Sequence, residues 1–334
     1  MFLELVREVS ERDPDLARAA LAGLRAYEEA PHRDRPAPRP EIARVAGATL
    51  RDHGGSGPPA LLVPSLINPP RILDLDEQVS LTGAIARMGR RALLLDWGKA
   101  DERAELSVSG HVEQLLLPLL RQAGEPVALI GYCLGGTMAI AAANRIAVDR
   151  LATIAAPWHF AAYPDDSKQA LADMWRHSEA AAKQLGALPM EVLQAAFWSL
   201  DPKRTVRKFA DFGRIDPASA AARRFVELEE WANEGEPLPY PAAKELIEGL
   251  FGEDLPGAGQ WIGSDKVPMP ALHLTADHDR IVPAETAPAG EQIAIPSGHV
   301  GMIVGSARER LNQALAVFLH EQERTLRREQ SAGE

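Results

Sequence analysis

The chain has a single cysteine, and it stands where a thiol can do chemistry. Gly131-Tyr132-Cys133-Leu134-Gly135 fits the pattern Gly-x-nucleophile-x-Gly, set between an apolar run, VALI, and a helix-like run, LGGTMAIAAA. That is the setting of a nucleophile elbow. Such a turn holds the nucleophile in a strained conformation, and glycine at positions 131 and 135 removes the Cβ atoms that would collide across it. The N-terminus of the following helix favours a thiolate. The competing reading is a buried structural cysteine beside a tight turn, since free Cys is among the most buried residue types.

A thiolate needs a base, and the base needs an acid to orient it; on this kind of sheet they follow in the order nucleophile, acid, histidine. His299, in Pro296-Ser297-Gly298-His299-Val300, lies just past the last predicted strand. Asp279, in Asp277-His278-Asp279-Arg280-Ile281-Val282-Pro283, follows the strand before it. Asp277 is the rival acid; Asp279 is preferred because it sits further out on the loop, directly before Ile-Val-Pro. Singly, a loop histidine reads as solvated or capping and such an aspartate as a turn former. Their order, each after a strand at the edge where open α/β sheets bind ligands, points to a Cys133-Asp279-His299 triad. An oxyanion hole would take the Leu134 N–H and a second N–H from Val63-Pro64-Ser65-Leu66. Pro64 has none, which leaves Ser65 or Leu66.

The elements that must position these groups are legible as periodicity. PALLVPSLI, RALLLDWG, EPVALIGYC and RLATIAAPW read as buried parallel strands, separated by helices near 77–89, 108–123 and 134–147. This alternation predicts an α/β fold with a mostly parallel central sheet and helices on both faces. Between 158 and 265 the pattern turns to helix and loop and holds five of the six tryptophans; the strand pattern then resumes at MPALHLTA and EQIAIPS, and a helix over 305–327 closes the chain. The expected division is therefore an N-terminal helical segment and linker over 1–45, a core over 46–157 and 266–328, and an inserted helical cap over 158–265. Within 1–45, residues 2–28 predict two helices broken at Asp13-Pro14, and APHRDRPAPRPE reads as the linker.

Composition narrows the partners. A net charge of −11 over 334 residues argues against nucleic acid or an anionic membrane surface. One cysteine excludes an internal disulfide and a cysteine-based zinc site. The N-terminus carries acid by Glu4 and no apolar signal core, and no uncharged apolar run reaches about 18 residues, so a soluble, cytoplasmic protein is expected. One basic cluster, Lys203, Arg204, Arg207 and Lys208, interrupts the acidic chain. It reads as a solvated helix face or as a partner for ligand phosphates. The tryptophans of the insertion read mainly as packing for its own helices, and secondarily as walls of an apolar channel.

Several segments together resemble the polyhydroxyalkanoate synthases: LLVPSLINPPRILDL, LLLDWGKADERAELSVSGHVEQ, IGYCLGGTMA, LATIAAPWHF, FVELEEWANEGEPLP, the Asp279-Arg280-Ile281-Val282-Pro283 segment and PSGHVGMIVG. The matches run over residues 55–320, and Asp96-Trp97-Gly98 looks most like the short synthases that work with a second subunit. The resemblance implies an α/β-hydrolase fold and transfer of hydroxyacyl groups from coenzyme A thioesters into a polyester. It makes Cys133 the acylated nucleophile, Asp279 the acid and His299 the base. It further implies no metal or redox cofactor, coenzyme A as part of the substrate, a homodimer or a second synthase subunit as partner, and activity at the polyester granule surface. Arg280 departs from it, since these synthases usually carry histidine after the acid. GYCLGG is also similar to dienelactone hydrolase, which is shorter and lacks the helical insertion. A thioesterase or esterase on the same frame, and a granule-associated homologue without polymerase activity, are the other readings.

Overall fold

The computed structural model describes residues 2–31, 35, 37–124, 127–199 and 201–332. In chain order its strands are β1 (Glu41–Val45), β2 (Ala48–Asp52), β3 (Pro59–Val63), β4 (Arg91–Asp96), β5 (Ala128–Tyr132), β6 (Arg150–Ile154), β7 (Ala187–Leu188), β8 (Leu238–Pro239), β9 (Ala271–Ala276) and β10 (Glu291–Ile295). Eight of them form one sheet in the order β1-β2-β4-β3-β5-β6-β9-β10; β7 and β8 pair separately. From β4 to β10 every neighbouring pair is parallel, and β2 is antiparallel to both β1 and β4. The central strands are continuous apolar runs because both sheet faces are covered: all five residues of β5 and of β6 are buried.

The registers Val63↔Gly131 and Tyr132↔Ile154 bring the carboxyl ends of β3, β5 and β6 to one edge of the sheet. The helix leaving that edge, Leu134–Ala143, is buried at all ten positions, which its small residues permit. At the opposite end of the strands, buried Arg150 and Arg90 donate to the carbonyls of Phe318 and Leu319 in the C-terminal helix Arg308–Ala332. Asp149 is their counter-ion, 2.9 Å from Arg150 and 3.5 Å from Arg90.

The chain divides into two compact units, Met1–Pro38 with Pro189–Gly235, and Arg39–Leu188 with Glu236–Glu334. In the first, helices Phe2–Ser10 and Pro14–Glu28 break at Asp13, whose carboxylate accepts from the Leu16 N–H at 2.9 Å and caps the second helix. Phe2, Val6, Ala17 and Ala20 pack on Val206, Phe209 and Ala210 of helix Pro202–Phe212. The second unit holds the large sheet.

This grouping differs from the segments read off the sequence. Of the expected cap over 158–265, residues 189–235 belong with the N-terminal helices, and 158–188 and 236–265 belong with the sheet. The apolar stripe of the N-terminal helices is too large to be left in water, and the 202–212 helix supplies its partner. The N-terminal segment expected over 1–45 also ends early, because β1 begins at Glu41, the last residue of the APHRDRPAPRPE linker. The β1-β2 hairpin carried little periodic signal: only Ala43 of β1 is buried, and the chain turns at Ala46-Gly47, with Ala46 at φ 48°.

Candidate active site

Cys133 lies between β5 and helix Leu134–Ala143 at φ 55°, ψ −133°, a left-handed conformation that side-chain-bearing residues rarely adopt. Two hydrogen bonds hold it there: its N–H donates to Ile154 O at 2.9 Å, and its carbonyl accepts from the Gly136 N–H at 2.8 Å. The glycines are sterically required. A Cβ on Gly131 would come 2.4 Å from Gly136 Cα, and one on Gly135 would come 2.2 Å from Val63 O and 2.5 Å from Pro64 O. The turn is thus tight enough to push the Cys133 side chain out of the sheet edge, where it is partly exposed.

His299 and Asp279 meet it there. The His299 Nδ1 lies 2.7 Å from Asp279 Oδ2, with the carboxylate side chain fully buried and the imidazole 8% exposed. The other carboxylate oxygen, Oδ1, accepts from the N–H groups of Ile281 and Val282, each at 2.8 Å. Asp279 is therefore fixed by its own loop before it orients the base. Asp277 is exposed and its backbone N–H is bonded to Ile295 O, so of the two aspartates Asp279 is the one beside His299.

The electrostatics favour a protonated His299. Burial alone would push the His299 imidazole towards its neutral form; the neighbouring Cys133 and Asp279, through charge and hydrogen bonding, outweigh it and raise the pKa to about 10.

Three aromatic residues, Tyr132, Tyr163 and Trp97, complete the surroundings. The Tyr132 ring lies 5.1 Å from the His299 ring at 30° and braces its face. Tyr163, against Phe160 and Phe251, has its phenol pKa pushed well above the usual value by burial and then by the charges of Cys133 and Asp279. Trp97 donates its indole N–H to Pro64 O at 3.1 Å, at the exit of β3. Tyr132 stands inside the elbow motif and Trp97 inside Asp96-Trp97-Gly98, with no role given to either by the sequence; Tyr163 meets the site only through tertiary packing.

Leu134 opens the helix after Cys133, so its N–H has no acceptor within that helix. Ser65 and Leu66 follow β3, with Ser65 Oγ accepting from the Ile67 N–H at 3.3 Å and Leu66 buried. The basic cluster lies in the other unit, on Pro202–Phe212: Lys203, Arg204 and Arg207 are exposed, while Lys208 is 2.7 Å from both oxygens of Glu229. The tryptophans of 158–265 are engaged in packing and hydrogen bonds, as with Trp175 to Glu248 at 2.8 Å and Trp261 to Glu245 at 2.6 Å. Among the described residues no group of three His, Cys, Asp or Glu side chains is placed to hold a metal, and no helix is long and apolar enough to cross a membrane.

No protein-family model matches the chain. Curated sequences do: it is 26% identical over 294 residues to the poly(3-hydroxyalkanoate) polymerase subunit PhaC of Haloarcula marismortui, covering 79% of this chain and 61% of that one. The chain resembles the PhaC polymerase subunits. The PhaC of Allochromatium vinosum is 25% identical over 291 residues, with 79% of this chain and 81% of that one covered. The PhaC of Haloferax mediterranei is 25% identical, and this chain spans only 55% of its length. Among solved structures, a hydrolase of Pseudomonas aeruginosa superposes with a TM-score of 0.51 at 17% identity over 81% of this chain and 94% of the other. A variant of the meta-cleavage product hydrolase CumD of Pseudomonas fluorescens gives 0.50 at 18% identity over 85% and 98%. The fold is that of the α/β-hydrolases, as the PhaC resemblance implied.

Proposed function

We propose that this chain is an acyltransferase that takes hydroxyacyl groups from coenzyme A thioesters and joins them into a polyester through a thioester on Cys133. The observation that carries the reading is a cysteine on the elbow, beside a histidine that is itself oriented by a buried aspartate. The similarity to PhaC over 79% of the chain supplies the substrate class.

The chemistry follows from these groups. The Cys133 thiolate attacks the thioester carbonyl, and the N–H of Leu134 with one from Ser65 or Leu66 receives the developing oxyanion. The carbon–sulfur bond to coenzyme A breaks, His299 gives its proton to the leaving thiolate, and the acyl group remains on Cys133. One thioester replaces another, so the step is nearly neutral in free energy. His299, now neutral, takes the proton from the hydroxyl of an incoming hydroxyacyl unit; the alkoxide attacks the acyl carbonyl, the ester forms, and the Cys133 thiolate leaves.

The relatives are named as polymerase subunits, and we take this chain to work with a second copy or a second subunit, in the cytoplasm at the surface of the growing polyester. Of the basic cluster, Lys203, Arg204 and Arg207 are exposed, and Lys208 is committed to Glu229. No metal or redox cofactor enters this scheme. Hydrolysis differs from it only in the acceptor, water in place of a hydroxyl, and is the second reading, favoured by the partial exposure of Cys133.

The test is product analysis after incubating the purified protein, and a Cys133→Ala variant, with 3-hydroxybutyryl-coenzyme A. Free coenzyme A with insoluble polyester from the wild type and neither from the variant is the expected result. Free coenzyme A with only hydroxy acid would replace the polymerase reading by a thioesterase.

A further inference from the structure

We infer that Trp97 is a positioning residue for the oxyanion hole, acting through the peptide group between Pro64 and Ser65. The inference rests on the acyl-transfer reading of Cys133. The Trp97 side chain follows the end of β4, is 4% exposed, and donates its indole N–H to Pro64 O at 3.1 Å. Because a peptide group is planar and trans, its carbonyl and its N–H point in opposite directions. Holding Pro64 O on the Trp97 side therefore fixes the Ser65 N–H on the other side. Among the described residues that N–H has no acceptor, so it is available to a ligand atom. The same peptide crosses the elbow closely: a Cβ on Gly135 would come 2.5 Å from Pro64 O and 2.6 Å from Pro64 C. A rotation of this one group would put a carbonyl where the Ser65 N–H now lies, and a carbonyl repels an oxyanion.

Trp97 is itself tightly held, as a positioning residue must be. Gly98 follows at φ 72°, and a Cβ there would come 2.3 Å from Gly47 O in the β1-β2 turn. The indole meets the ring of His111 edge-on, with centroids 5.7 Å apart. His111 is fully buried and locked at both nitrogens: Nδ1 donates to Ser107 O at 2.6 Å, and Nε2 accepts from Arg103 Nη1 at 3.1 Å. Burial holds this imidazole neutral, with its pKa lowered to about 4. The hairpin β1-β2 and the buried Arg103-His111 pair thus set the indole that sets the peptide.

The test compares two reactions of Cys133. Acylation by 4-nitrophenyl acetate passes through an oxyanion and needs neither coenzyme A nor polymer; alkylation by iodoacetamide is a displacement at saturated carbon and forms none. Trp97→Phe keeps the ring and removes the donor. It should lower the acylation rate constant by at least about tenfold, within the roughly 10²–10³-fold that loss of a whole oxyanion donor costs. KM and the alkylation rate should hold. Where Trp97→Phe melts early, 3-benzothienylalanine at position 97, which has the indole shape without the N–H, gives the same comparison. Equal losses in both reactions, or no loss in acylation, overturns the inference, as does a wild type that neither reagent modifies. If the wild type is acylated by 4-nitrophenyl acetate and not by 3-hydroxybutyryl-coenzyme A, the proposed substrate is wrong and the role of Trp97 stands.

Discussion

His299 Nδ1 lies 2.7 Å from Asp279 Oδ2, while Asp279 Oδ1 is taken up by the N–H groups of Ile281 and Val282. One carboxylate therefore does two jobs: it closes its own loop and it turns the imidazole towards Cys133. The two functions can be separated by substitution, because an asparagine carbonyl can still accept from the two backbone N–H groups.

Asp279→Asn should keep the loop and lose the charge, lowering acyl transfer by up to about 10⁴-fold, the order seen when a triad acid is made neutral. Asp277→Asn, at an exposed position, should leave the rate unchanged. Steady-state kinetics of the two variants side by side decide between the acids, and the reverse ranking would make Asp277 the acid.

The same substitution has a pH signature in stability. The folded His299 pKa, about 10, lies above the ordinary histidine value of about 6.5, so imidazolium stabilisation is fully present below about pH 6.5 and is lost as pH rises through about 10. The destabilisation by Asp279→Asn should be greatest below about pH 6.5 and shrink towards about pH 10. Urea unfolding of both proteins across this range measures it; a difference that grows with pH would show that the imidazole is not charged in the folded state.

Removing the Cys133 side chain should be visible at the base. After burial, which opposes protonation, Cys133 is the leading influence on His299, and it raises the pKa. Cys133→Ala should therefore move the imidazole titration down, read from its ring proton shifts by NMR. An unmoved titration would mean that Cys133 and His299 are not coupled.

Gly135→Ala should damage the fold before it damages chemistry. The added Cβ meets two backbone carbonyl oxygens, Val63 O at 2.2 Å and Pro64 O at 2.5 Å, neither of which can swing away as a side chain would. Overpacking of this kind costs about 1–3 kcal/mol or more, and thermal unfolding should show a lower midpoint.

Glu245 anchors a helix to the sheet unit. It accepts from the Ser109 N–H at 2.9 Å, the Ser109 hydroxyl at 3.0 Å and the Trp261 indole at 2.6 Å. Glu245→Ala leaves these donors without their acceptor and should cost about 1–3 kcal/mol in urea unfolding. A smaller loss would mean that water replaces the carboxylate.

The sequence made legible what a few neighbouring residues determine. β3, β4, β5 and β6 were readable because strands covered on both faces are uninterrupted apolar runs, and Cys133 was readable because an elbow needs Gly131 and Gly135 within two residues of it. The preference for Asp279 has a local basis, since its carboxylate bonds the backbone two and three residues on. The β1-β2 hairpin was missed because its outer strand buries one residue in five. Trp97 was noticed as part of Asp-Trp-Gly, but its bond to Pro64 joins chain segments 33 residues apart, and no periodicity reports that. The grouping of 189–235 with the N-terminal helices was hidden for the same reason: an amphipathic face shows that a partner is needed without showing which one.

The central claim is that the acyl group rests on Cys133, and rapid-quench mass spectrometry of the peptide carrying Cys133, during turnover of 3-hydroxybutyryl-coenzyme A, tests it most directly. The account predicts a hydroxybutyryl adduct on Cys133 that hydroxylamine removes, forming as fast as coenzyme A is released, with neither adduct nor release from Cys133→Ala. Release of coenzyme A by Cys133→Ala at the wild-type rate would contradict it.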